Sequence, residues 1–160
     1  MIPESHWPVL REICARLEPE GIVWALTGST ALALQGVPVA VHDIDLQADE
    51  EGAHAIERCF ADCVTQKVTF SSTDRIRSRY GALAVGGVKV ELMGAIEKRL
   101  PSGEWEPAPP LAALRRTIEV GGLTLPVLPL EYEYEAYLIL GRAEKARIIK
   151  EAIERNAADS

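Results

Sequence analysis

The chain has 160 residues, 48% of them hydrophobic and 26% charged, with a formal net charge of −7. That length suits one domain with a genuine core, and the composition is that of a globular protein. The acidic balance argues against a broad electrostatic footprint for nucleic acid and leaves room only for a local basic patch.

No run of eighteen apolar residues suggests a membrane span, and Met1-Ile-Pro-Glu-Ser-His-Trp-Pro lacks the basic-then-apolar order of a secretory signal. A cytoplasmic protein without a membrane partner is expected. Cys14, Cys59 and Cys63 are then expected to be reduced and partly buried. Cys59 and Cys63, one turn apart on an expected helix, make a poor zinc signature by themselves.

Residues 5–17 read as an amphipathic helix with Trp7, Leu10, Ile13, Cys14 and Leu17 on one stripe, broken by Pro19 and Gly21. Ile22 to Leu26 reads as a short buried strand. Ser29 or Thr30 is placed to cap a helix running to Leu34, which Gly36 and Pro38 end. Val41 to Gln47 reads as a strand, and Asp49 to Cys63 as a helix burying Ala53, Ile56, Phe60 and Cys63.

Strands are expected at Val68–Phe70, Ala82–Val85 and Val88–Met93, the last two joined through Gly86-Gly87. Residues 95–110 are punctuated by Pro and Gly and read as irregular. Arg115–Val120 and Leu123–Val127 flank Gly121-Gly122 as a second hairpin. A helical region from about Glu131 to Glu154 is expected to break at Gly141, with residues 156–160 frayed.

The chemistry concentrates in Asp43-Ile-Asp45. Alternation along a strand puts both carboxylates on one face, and aspartate is disfavoured in strands, so the pair needs a reason. Binding a hard divalent cation is the most economical one. In Val88-Lys-Val-Glu-Leu-Met93, Lys89, Glu91 and Met93 share a face. If that strand neighbours the aspartate strand, Glu91 becomes a third carboxylate. Such a trio repels itself unless cations hold it, which predicts one or two magnesium ions. The Gly28-Ser29 turn supplies outward N–H groups at a helix start, suited to an anion such as phosphate.

The pattern Leu26-Thr-Gly-Ser29, thirteen intervening residues, then Asp43-Ile-Asp45, with Glu91 following on a later strand, resembles the nucleotidyltransferase superfamily with the polymerase-β-type fold. The likeness covers about residues 22–94. It is nearest to small stand-alone members related to lincosamide and aminoglycoside nucleotidyltransferases and to abortive-infection-type nucleotidyltransferase toxins.

The resemblance implies that Gly28 and Ser29 hold the β- and γ-phosphates of a nucleoside triphosphate, and that Asp43 and Asp45 ligate two magnesium ions. It implies Glu91 as a metal ligand or as base for an acceptor hydroxyl, in a reaction that transfers a nucleoside monophosphate and releases pyrophosphate. Glu91 stands where aspartate is commoner in the family, which adds reach and flexibility.

Each reading has a plainer alternative. Asp43 and Asp45 could line a solvated strand edge, and Glu91 could simply pair with Lys89. Arg142 and Lys145, one turn apart, suit phosphate oxygens or pairing with Glu144 or Glu135. Arg75, Arg77 and Arg79 suit a triphosphate or acceptor, or else a solvated loop. Trp105 and the tyrosines of 132–137 suit an acceptor pocket or, more often, packing. His42 is expected to face the core, and His6 and His54 the surface.

The architecture expected is one α/β (α+β) domain over residues 1–160, with a core at about 22–94 and a C-terminal hairpin and helices at about 112–155. Its sheet would be mixed and mostly antiparallel, with helices on one face, an acidic cleft on the other, and the C-terminal helical segment closing the cleft. The expected function is magnesium-dependent nucleotidyl transfer to a hydroxyl of a small molecule, or less readily of RNA or protein. The competing expectation is a non-catalytic nucleotide-binding or antitoxin-like module on the same fold. The short chain leaves little room for an acceptor-binding domain, so a homodimer or partner is expected to complete the acceptor pocket.

Overall fold

The computed structural model describes residues 1–159. In chain order they form α1 (His6–Leu17), β1 (Trp24–Thr27), α2 (Gly28–Leu34), β2 (Ile44–Ala48), α3 (Glu50–Cys59), β3 (Val64–Ser72) and β4 (Ile76–Val85). There follow β5 (Val88–Arg99), β6 (Trp105–Glu106), α4 (Leu111–Leu114), β7 (Arg116–Val120), β8 (Leu123–Val127), α5 (Leu130–Ile139) and α6 (Ala143–Ala158).

The sheet runs β3-β4-β5-β2-β1-β8-β7, with β6 added to β5. The β1–β8 and β2–β5 pairings are parallel and the others antiparallel among the described residues. This is the mixed, mostly antiparallel sheet expected from the sequence. Both Gly-Gly pairs make their hairpins: Gly86, Gly87, Gly121 and Gly122 have φ of 55, 79, 57 and 77°, a left-handed pair at each turn that only glycine adopts cheaply.

The sheet's two faces are used differently. Val9, Leu10, Ile13 and Leu17 of α1, with Ala53 and Ile56 of α3 and Phe60 just beyond it, pack on Leu26, Ile44, Leu46, Val90 and Leu92. Each such large side chain contributes about 1.5–3 kcal/mol when fully buried. Asp49 starts α3 by accepting the Gly52 N–H at 2.6 Å.

Strand alternation sends Ala25 to the other face, where it meets Leu111, Leu128 and Tyr132. A separate cluster of Leu32, Val37, Leu130, Ile149 and Ala152 binds α5 and α6 to α2. These C-terminal helices are thereby held beside the turn between β1 and α2.

Several local expectations are corrected. The strands of the β3–β4–β5 arm are longer than the sequence suggested, and residues 95–110 are not wholly irregular, because β5 continues to Arg99 and pairs with β6. A bulge at Ala95, with φ of 51°, shifts the register from Arg79↔Gly94 to Arg77↔Glu97, while burial keeps alternating along the strand and gives Lys98 an inward place that its charge does not signal. α3 ends at Cys59 rather than Cys63, and Cys63 falls in a separate 3-10 turn at Ala61–Cys63.

β2 begins at Ile44 rather than Val41, and Thr27 rather than Ser29 or Thr30 occupies the position before α2. The last helix runs to Ala158, so residues 156–158 are helical where fraying was expected. Ser160 lies outside the described residues.

Candidate active site

Three neighbouring strands align one row of polar side chains. In register, Thr27 of β1 stands opposite Asp45 of β2, and Asp45 opposite Glu91 of β5. Their sequence neighbours Leu26, Leu46 and Leu92 are buried among α1 and α3, so the row lies on the opposite face. Asp43 is half-buried just ahead of β2, and its charge acts on both Asp45 and Tyr80.

The row is electrostatically tense. Burial pushes Asp45 from an ordinary 3.8 up to about 8, helped by its hydrogen bond to Glu91 and by the charges of Glu91, Asp43 and Glu133. Burial also pushes Glu91 upward, but hydrogen bonds involving Asp45, Tyr80 and Lys89 hold it below its ordinary value. The Tyr80 hydroxyl donates to Glu91 Oε1 at 2.6 Å, and Lys89 Nζ lies 3.3 Å from the same oxygen. Burial and the Glu91 carboxylate push the Tyr80 phenol well above its usual range.

The turn at Gly28 is built around Asp45. Gly28 has φ of +71°, and a Cβ there would lie 2.0 Å from Asp45 Oδ2. The Ser29 hydroxyl accepts the His42 N–H at 2.9 Å, and Thr30 Oγ1 donates to the Asp43 carbonyl at 3.0 Å. Both side chains thus pin the segment leading into the aspartate strand. His6, expected at the surface, is only 5% exposed because its Nε2 donates to the His42 carbonyl at 2.9 Å. His42, expected in the core, is exposed, since the strand alternation invoked for it starts only at Ile44.

A fourth carboxylate was missed in the sequence. Glu133 of α5 is 3% exposed and accepts from Thr27 Oγ1 at 2.9 and 3.1 Å through its two oxygens, and from the Gly28 N–H. It serves α2 as a cap supplied from another helix. Burial pushes it from an ordinary 4.5 up to about 7, against the pull of Thr27, Gly28 and Lys98. A glutamate inside an ordinary-looking helix gave no signal. Only its 106-residue jump to Thr27 marks it.

The cations divide. Arg142 and Lys145 flank Tyr137, their charged ends 5.4 and 5.6 Å from its ring centre. Burial, with the charges of Glu133 and Asp45, pushes Tyr137 up to about 12, which ties this group electrostatically to the row. Glu144, the alternative partner proposed for these cations, instead pairs with Arg147.

Arg77 and Arg79 point away from the row, to Glu97 and to Glu50 of α3. Arg75 donates to the Leu140 carbonyl at 3.2 Å, joining the β3–β4 turn to the α5–α6 corner. The three arginines therefore neither form a solvated loop nor converge on one ligand. Trp105 is covered by Arg77, and Tyr132 accepts from Lys98 Nζ at 2.8 Å, both structural uses.

Asp45 Oδ1 is buried without a hydrogen-bond partner, an unmet acceptor that a hard cation would satisfy. The carboxylates are not a finished cage: among the described residues no group of three His, Cys, Asp or Glu has metal-holding geometry. Two concavities of about 510 and 770 Å³, around Asp49 and Arg58 and around Trp24 and Arg115, lie at the other end of β1 and β2. No helix among the described residues is long and apolar enough to cross a membrane.

The family model of aminoglycoside-2''-adenylyltransferases matches residues 9–152. A candidate nucleotidyltransferase from Thermotoga maritima is 52% identical over 97% of this chain and 96% of that chain, with a TM-score of 0.83. The lincomycin-bound lincosamide antibiotic adenylyltransferase LnuA is 11% identical, covering 93% of this chain and 97% of its own, with a TM-score of 0.56. ANT(2'')-Ia in complex with adenylyl-2''-tobramycin is 13% identical, covering 95% and 91%, also with a TM-score of 0.56. At these low identities the last two share the fold. No curated protein matches the chain.

Proposed function

Since the chain belongs to the aminoglycoside-2''-adenylyltransferase family and has the nucleotidyltransferase fold, we propose that it transfers a nucleoside monophosphate from a nucleoside triphosphate to an acceptor hydroxyl and releases pyrophosphate. The observation that carries this reading is the Thr27–Asp45–Glu91 row, with a buried, unpartnered Asp45 oxygen beside the Gly28 turn. The family's adenylyl chemistry makes ATP the first donor to test, and a hydroxyl-bearing small molecule the first acceptor class.

Asp43 and Asp45 are the residues that would hold magnesium, with Glu91 beside them. When bound, magnesium neutralises phosphate charge and eases attack at the α-phosphorus. Ser29 and the Gly28 turn orient the triphosphate, while Arg142 and Lys145 supply positive charge from the start of α6. Glu91 takes part either as a further ligand or by receiving the acceptor proton.

The deciding experiment measures pyrophosphate release with magnesium, each nucleoside triphosphate and a panel of hydroxyl acceptors, for the wild type and for Asp43→Ala and Asp45→Ala. Both variants should fold and lose turnover. Unchanged release in either would sink the assignment, and nucleotide binding without release by the wild type would favour a non-catalytic module.

A further inference from the structure

We infer that Tyr80 is a positioning residue for Glu91, fixing which carboxylate oxygen is left to face Asp45; this rests on the carboxylate site proposed above. Glutamate has one more rotatable bond than aspartate, so a third acid of this length must be held if it is to stay in register with Asp45. The structure provides the hold. Tyr80 pairs with Met93, and Glu91 with Ala82, so Tyr80 and Glu91 occupy diagonal positions on one face of the β4–β5 pair. The single phenolic hydrogen donates to Glu91 Oε1 at 2.6 Å.

Lys89 Nζ approaches that same oxygen at 3.3 Å, so both donors occupy one side of the carboxylate. Asp45 stands directly opposite Glu91 in the β2–β5 register, the next carboxylate of the row. Lys89 is more than half exposed and is the looser partner, whereas Tyr80 is half-buried and makes the shorter contact. Tyr80 therefore sets the orientation, acting on chemistry only through Glu91.

Tyr80→Phe keeps the ring and removes the donor, so packing is preserved. We would measure pyrophosphate release kinetics, and Mn²⁺ affinity by calorimetry with a non-hydrolysable ATP analogue present, in the wild type, Tyr80→Phe, Glu91→Gln and the double variant. The expected result is a kcat about tenfold lower and Mn²⁺ affinity about tenfold weaker, with KM for the nucleotide within about twofold. In the Glu91→Gln background, Tyr80→Phe should change Mn²⁺ affinity no further.

A raised KM at unchanged kcat would mark Tyr80 as a nucleotide contact and overturn the inference. So would an additive loss in the double variant, or a Tyr80→Phe protein matching the wild type in both assays. A wild type that neither binds Mn²⁺ nor releases pyrophosphate would instead remove the proposed function, and this inference with it.

Discussion

Gly28 shows how a single residue can be fixed by a neighbour's chemistry rather than by its own turn. Its φ of +71° already disfavours any side chain, and a Cβ would strike Asp45 Oδ2 at 2.0 Å. Gly87 offers the matching control, with φ of +79° and nothing within 4 Å of the added carbon. Alanine at either position meets the left-handed penalty of roughly 1–2 kcal/mol. Only at position 28 must the acid row also move. Gly87→Ala is therefore expected to lose that much in urea denaturation and keep full pyrophosphate release, whereas Gly28→Ala loses at least as much and almost all turnover. Equal activity of the two would show that the Gly28–Asp45 contact has no bearing on the site.

At the scale of elements, α5 is tied to the β1–α2 turn by a buried polar contact rather than by apolar packing alone. Thr27→Val would remove the hydroxyl donor and leave Glu133 only the Gly28 N–H, a loss of about 1.5–3 kcal/mol for a hydrogen bond to a charged group. Hydrogen exchange should then quicken in α5 and α6 and stay unchanged in β4 and β5; uniform protection would mean that the contact does not anchor these helices. The same tie explains what could be read from the sequence. The Gly-Gly hairpins, the α1 stripe and the Asp43–Asp45 spacing are local patterns, and alternation alone aligned Glu91 with the aspartates once β2 and β5 became neighbours. Glu133 and Tyr80 carry no local signature, because their partners are fixed by a distant helix and by strand register. The far half of β5 stayed hidden because Gly94 and the run Glu97-Lys98-Arg99 show no apolar alternation in the sequence, although burial there still alternates. Arg77 and Arg79 misled for a similar reason: their spacing was right for one face, but that face belongs to α3.

For the whole molecule, concentrating buried acids in a chain of net charge −7 links stability, pH and ligand binding. Asp45 and Glu133 lose their protons near pH 3.8 and 4.5 in the unfolded chain, but near about 8 and about 7 when folded. Between those limits the folded protein holds more protons, so stability is highest at the acid side of the window and falls as pH rises to about 8, by up to about 1.4 kcal/mol per unit per group. Glu91 has the opposite sign, but its lowered value places its contribution below pH 4.5, outside the window. Urea denaturation between pH 5 and 8 should show this decline, and Glu133→Gln should flatten it while Asp45 keeps its share. A metal bound at Asp45 must displace the proton held there. Magnesium with nucleotide should therefore raise the melting temperature more at pH 8 than at pH 6, with apparent affinity gaining up to about tenfold per pH unit below 8. Calorimetry in two buffers of different ionisation enthalpy would count the proton released at pH 7. Binding that releases none, with a pH-independent shift in melting temperature, would mean that Asp45 does not hold the metal.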